Sequence, residues 1–387
     1  MEKTRILLVL IFPVLILFIS CEFIGGYRYE IPVEDNDGWE VKSADESGLN
    51  SSQLCDMVDF IESVEEDNIH SILIIKDSRL VFEKYFEGYL YVNNPPGADG
   101  DYILYDKETD HYLASVSKSV TSVIFGVAVK EGYIQNVDEL LVDILPEYDS
   151  ILTGDKAGIT LKHLLTMSSG LHWDEFSSSF TSPANDIYAL FHEEDPIAYI
   201  LSKYMINSPG AEFMYNSGGT NVLGAVIERK TGKRLLDYGN EVLFDPLNIQ
   251  GGLWETMAGG YMFASGGLYL RPRELSKIGF LFLNDGYWEN TQIITEDWID
   301  ESSRSYIETD ELIPEADSYG YQWWIMDFQV NSKTYDCFFA AGWGDQFMFI
   351  FPDQEMIVTI NCGNYHQYGR ISIFELVEDY ILEALTD

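Results

Sequence analysis

Basic residues are scarce in this chain: 23 Lys and Arg face 64 Asp and Glu, a formal charge of −41 over 387 residues. A surface of that sign repels phosphates, which excludes nucleic acid as a partner, and it keeps the protein soluble. Cysteine is nearly absent. Beyond Cys21, only Cys55, Cys337 and Cys362 occur, an odd number without metal-ligand spacing, so neither a disulfide framework nor a zinc site is indicated. The six histidines (His70, His111, His163, His172, His192, His366) are scattered and no H-E-x-x-H occurs, so no metal and no cofactor is expected. G-x-S-x-G is missing too, which removes the strained nucleophile turn of the α/β-hydrolase layout. Internal repeats and low-complexity tracts are lacking. No apolar run reaches the ~20 residues of a spanning helix.

What is present begins with Lys3 and Arg5 ahead of an apolar run from Ile6 to Ile19, interrupted by Pro13. A positive start and a short apolar core read as a secretory signal over residues 1–20. Phe18-Ile19-Ser20-Cys21 resembles a bacterial lipoprotein box, which implies lipidation of Cys21 and an exported protein anchored in the bacterial cell envelope membrane by lipid. An ordinary signal peptide or an uncleaved anchor is the other reading, giving a secreted or periplasmic protein. Residues 21–50 are acidic and polar and read as a tether, with order expected from about Ser51.

From there the patterning alternates between types. Leu54, Met57, Phe60 and Ile61 fall at helical spacing; SILIIKDSRLVFEKYF reads as a β-hairpin; Gly and Pro at 96–100 read as a loop. In HYLASVSKSVTSVIFGVAVKE, residues 111–131, the apolar positions Val116, Val120, Val123, Ile124 and Val127 predict a helix. Ser115 and Lys118 stand three apart at its mouth, on one face. A serine hydroxyl needs an adjacent base to become a nucleophile, and the helix's positive end favours the alkoxide. The bland alternative is an amphipathic helix with a Ser N-cap. Thr160 reads as the cap of a short helix, and residues 174–208 as an aromatic-bearing mixture of helix and loop. Further helices are expected from about Thr220, Leu235, at 272–284, 295–303 and 371–384, and late strands follow YGYQWWIM. Early strands, a helical middle and late strands predict an α+β fold: one antiparallel sheet built from both chain ends, flanked by helices.

Several of these stretches together resemble the serine β-lactamase and penicillin-binding-protein superfamily, in its class C β-lactamase-like branch. The resemblance covers about residues 50–385 and implies a β-lactamase/transpeptidase-like fold over 51–387, with an all-helical subdomain at about 145–255. Its S-x-x-K falls on Ser115-Val116-Ser117-Lys118; TLKHLLTMSSGL is similar to T-x-x-x-L-L-x-H-x-S-G-L, with Met167 at the His position. Y-x-N falls on Tyr215-Asn216-Ser217, with Ser217 replacing the usual Asn. The resemblance implies Ser115 as nucleophile, Lys118 and Tyr215 as acid/base pair, and Ser217 as a substrate-binding candidate. Lys230-Thr231-Gly232 spells the third motif but closes a helix. The strand before Gly342 suits it better, placing Ala340 at the K-or-H position, Gly342 at the glycine, and the backbone N–H groups of Ser115 and Trp343 at the oxyanion.

An alanine at 340 supplies neither cation nor hydroxyl for a substrate carboxylate, so uncharged ester or amide substrates, small molecules or short peptides, are favoured over penicillins. A D,D-peptidase or β-lactamase is one alternative; a noncatalytic envelope-binding lipoprotein is another. Trp254, Tyr261, Trp323, Trp324 and Trp343 are read either as core or as lining of an apolar pocket.

Overall fold

Two apolar runs split by Lys76-Asp77-Ser78 need a turn with both central residues at positive φ, and Asp77 (φ 51) and Ser78 (φ 66) supply it. The strands Ile69–Lys76 and Arg79–Tyr85 therefore pair antiparallel, as expected. A computed structural model describes residues 26–64, 67–93, 96–250, 252–309, 312–365 and 369–386. The expected secretory signal, Cys21 and His366 lie outside them.

This hairpin forms one edge of an eight-stranded antiparallel sheet. From the other edge the order is Ile307–Glu308, Ser318–Tyr319, Trp324–Val330, Lys333–Gly342, Gln346–Phe351, Met356–Cys362, Ile69–Lys76 and Arg79–Tyr85. The join between chain ends is the ladder from Ser71↔Asn361 to Lys76↔Met356. Because side chains alternate along a strand, each strand feeds two cores. Leu73, Ile75, Met348, Ile350 and Ile357 meet the helices Val116–Lys130 and Pro272–Leu283 on one face. Ile72, Ile74, Phe349, Val358 and Ile360 meet the helix Ser51–Ser63 and the C-terminal residues Ile373, Leu376 and Val377 on the other. Short helices at Leu161–Leu165, Asp186–Leu190 and Pro196–Ser202 pack on a longer one, Ser217–Thr231, which packs on Val116–Lys130. The α+β architecture is the expected one.

Three local expectations are corrected. Residues 26–50 are no free tether: Trp39 is 2 % exposed, packs edge-on against Phe280 and Trp288, and donates its indole N–H to the Arg273 carbonyl at 3.1 Å. Burial of that ring outweighs the solvation of the surrounding acids, two of which, Asp37 and Glu83, pair with Arg273. The Pro- and Gly-bearing stretch at 96–100 belongs to a strand, Pro96–Leu104, paired with Glu87–Asn93 in a separate ribbon. The helix expected from Thr220 begins at Ser217, since the Asn216 side chain caps it by accepting from the Gly219 N–H at 3.0 Å.

Candidate active site

The strand pair at His111–Tyr112 turns abruptly into the Val116–Lys130 helix through Ala114, held at φ 45. Left-handed backbone costs a non-glycine residue about 1 kcal/mol, and here it sets Ser115 at the helix entrance. Ser115 occupies the N-cap position yet its side chain makes no capping hydrogen bond. The bland reading as a capping serine therefore fails, and the hydroxyl engages Lys118 instead. Lys118 Nζ lies 2.8 Å from Ser115 Oγ and donates to the Ser265 carbonyl at 2.8 Å. The lysine is 1 % exposed, and desolvation pulls its pKa down to about 8, against an opposing pull from Glu175.

Tyr215 arrives from the far side, immediately before the Ser217–Thr231 helix. Its ring lies 4.9 Å from Lys118 Nζ and stacks on Trp324 at 5.7 Å. Burial raises the phenol's pKa, Glu175 raises it further, and a hydrogen bond with Ser115 opposes both. Met167, at φ 53, braces this stretch: its carbonyl accepts the Met214 N–H at 2.8 Å and its sulfur the Asn216 N–H at 3.3 Å. Met167 thus does at this position a backbone-holding job suited to a soft acceptor.

Gly342 ends the Lys333–Gly342 strand against Ser115. A Cβ there would sit 2.5 Å from the Leu113 carbonyl oxygen and 3.1 Å from the Ser115 nitrogen, so only glycine allows the approach. Trp343 follows, its ring 4.9 Å from Phe180 and 5.3 Å from Tyr365. Ser115, Lys118, Tyr215, Gly342 and Trp343 are thus brought to one place. Two candidates behave differently. Ala340 is fully buried, opposite Met348, because strand alternation turns its methyl into the core. Ser217 is 2 % exposed and gives its hydroxyl to Glu175 at 2.9 Å, so it does not open onto a substrate. The Lys230-Thr231-Gly232 triplet closes its helix as expected, with Gly232 at φ 71 and Lys230 paired with Glu139 at 2.6 Å.

Of the tryptophans, Trp323 is core, Trp254 ties its indole N–H to the Phe263 and Gly266 carbonyls, and Trp324 and Trp343 flank the site.

Sequence reasoning missed the residues behind the front line. Asn221 donates to the Ser217 carbonyl and to Ser265 Oγ, each at 3.0 Å, and accepts the Ser265 N–H at 3.1 Å. It thereby fixes the carbonyl that grips Lys118. Glu175 and the aromatics Phe176 and Phe180 ride on a loop closed by the Asp186 N–H on the Asp174 carbonyl at 2.9 Å. Asn185, 1 % exposed, fills it by donating to the carbonyls of Glu175 at 3.0 Å and Ser178 at 2.7 Å. Phe176 leans on Tyr215 and Phe180 on Trp343.

A beta-lactamase family model matches residues 70–367. The 6-aminohexanoate-dimer hydrolase of Paenarthrobacter ureafaciens is 24% identical over 286 residues, covering 69% of this chain and 66% of that protein. The lovastatin esterase of Penicillium rubens is 32% identical over 158 residues, 36% of this chain and 38% of that one. The chain therefore spans less than two thirds of the length of either curated relative. A solved family VIII carboxylesterase superposes with a TM-score of 0.66 at 15% identity, over 92% of this chain and 100% of that one, a likeness of fold. On the match over most of its length, the chain belongs to the beta-lactamase family.

Proposed function

We propose that this protein is a serine hydrolase that opens uncharged ester or amide bonds through an acyl-enzyme on Ser115. The observation that carries the reading is the buried Lys118 amine, 2.8 Å from a serine hydroxyl that caps nothing. Ser115 Oγ adds to the carbonyl carbon as its proton passes to the Lys118 and Tyr215 pair. Negative charge gathers on the carbonyl oxygen, where the N–H groups of Ser115 and Trp343 receive it. Collapse breaks the bond to the leaving group, which takes the proton back, and water then releases the acyl group by the same steps.

The substrate class follows from what surrounds the hydroxyl. Phe176, Phe180 and Trp343 offer apolar walls, while the chain as a whole carries a charge of −41. An anionic substrate gains little there. The relatives' names, a 6-aminohexanoate-dimer hydrolase and a lovastatin esterase, are those of hydrolases.

A fluorophosphonate probe followed by peptide mass spectrometry is expected to place its adduct on Ser115. Turnover of p-nitrophenyl butyrate is expected to fall about 10³-fold or more in Ser115→Ala. An adduct on another residue, or undiminished turnover in that variant, would refute the reading; a wild type that is neither labelled nor active would leave a binding protein of this fold.

A further inference from the structure

Glu175 is 5 % exposed and within electrostatic reach of both Lys118 and Tyr215. Its Oε1 accepts the Ser217 hydroxyl at 2.9 Å; its Oε2 accepts the Ser217 N–H at 3.3 Å and the Trp173 indole N–H. All three donors are neutral. Burying an ionised carboxylate is costly unless it is well paired, and a glutamine would satisfy the same set: its oxygen accepting both N–H groups, its amide donating to the Ser217 oxygen. What a carboxylate adds over that amide is charge. The titratable groups it acts on are Lys118, from the Val116–Lys130 helix, and Tyr215, from the stretch before the Ser217–Thr231 helix.

We propose that Glu175 is a positioning residue of the acid/base pair, a role that rests on the hydrolase reading of Ser115. Its grip on Ser217 fixes the start of the helix behind Tyr215. Its negative charge stabilises the ammonium that forms on Lys118 when the Ser115 O–H bond breaks and an N–H bond forms, while the serine oxygen bonds to the acyl carbon. The same charge disfavours a phenolate at Tyr215, keeping that group a proton donor. The third residue of the Tyr215-Asn216-Ser217 triplet thus hands its hydroxyl to a carboxylate, so a Ser–Glu pair backs Tyr215.

The test is the rate of fluorophosphonate labelling of Ser115, by intact-protein mass spectrometry from about pH 6 to 10, in wild type, Glu175→Gln, Glu175→Thr and Glu175→Asp. Thermal unfolding identifies which variants fold, and one folded uncharged variant suffices. Removing the charge is expected to move the alkaline rise in rate down by about one pH unit and to lower its plateau about tenfold. Glu175→Asp, which keeps the charge, is expected to hold the rise at the wild-type pH with a lower rate. A purely structural role moves the plateau and leaves the rise where it was. Wild type labelled at Ser115 with an unmoved rise in the uncharged variant overturns this inference alone; wild type unlabelled at Ser115 overturns the hydrolase reading with it.

Discussion

Burial of Lys118 sets both what it can do and what it costs. A base must be unprotonated, and a pKa pulled down to about 8 by desolvation leaves a tenth of the amine free one unit below that value. Ester turnover per substrate is therefore expected to rise about tenfold per pH unit up to about 8 and to level above it. The same shift is a stability statement. The folded state binds fewer protons than the unfolded chain between about 8 and the ordinary 10.5, so this group's contribution to stability rises with pH across that window. Below it, the protein bears the whole penalty of a buried ammonium. Lys118→Met is accordingly expected to abolish turnover and to raise folding stability at pH 7 by about 1–3 kcal/mol, read by urea unfolding. At this scale the front of the site was legible: residues three apart on a helix share a face, and Tyr215 lies in a recognisable triplet. Glu175 and Asn221 were not, because neither stands at a spacing that means anything locally. Their roles come from contacts with residues 42 and 44 positions away.

Among the elements, the segment before Ser51 departed furthest from expectation, whereas the loop from Asp174 to Asp186 falls within the expected mixture of helix and loop but hides how it is held. Both are polar and acidic on average, and an average hides single anchors. In the loop, Asn185 is the anchor, supplying from inside the hydrogen bonds that a strand or helix would otherwise provide. In the N-terminal segment it is Trp39, whose ring completes an aromatic group with Phe280 and Trp288. Trp39→Ala is expected to cost about 3–5 kcal/mol, the range for emptying a buried aromatic site, and to lower the unfolding midpoint in calorimetry without changing the pH dependence of turnover. The Pro96–Leu104 strand was hidden for a related reason. Proline and glycine mark loops by propensity, and pairing with Glu87–Asn93 overrides it. The long helices, by contrast, were readable from their apolar spacing alone.

For the molecule as a whole, sheet and sign of charge matter most. The antiparallel core was legible because its strands are runs of β-branched and aromatic residues bounded by turn signals; the placement of positions 175 and 265 behind the front of the site was not, since it depends on how separate loops pack over that sheet. The charge of −41 makes the folded body repel itself. Raising NaCl from about 0.05 to 1 M shortens the Debye length from over 10 Å to about 3 Å and is expected to raise the unfolding midpoint by several degrees; a midpoint that falls with salt would mean that local ion pairs outweigh the overall repulsion. The ladder joining Ile69–Lys76 to Met356–Cys362 has a further consequence. A ribosome emits the first of these strands nearly three hundred residues before its partner, so throughout synthesis one flank of the nascent sheet stays bare. The ladder is completed only once Met356–Cys362 has been made, and until then the unpaired strand edge of the growing polypeptide is open to chaperones.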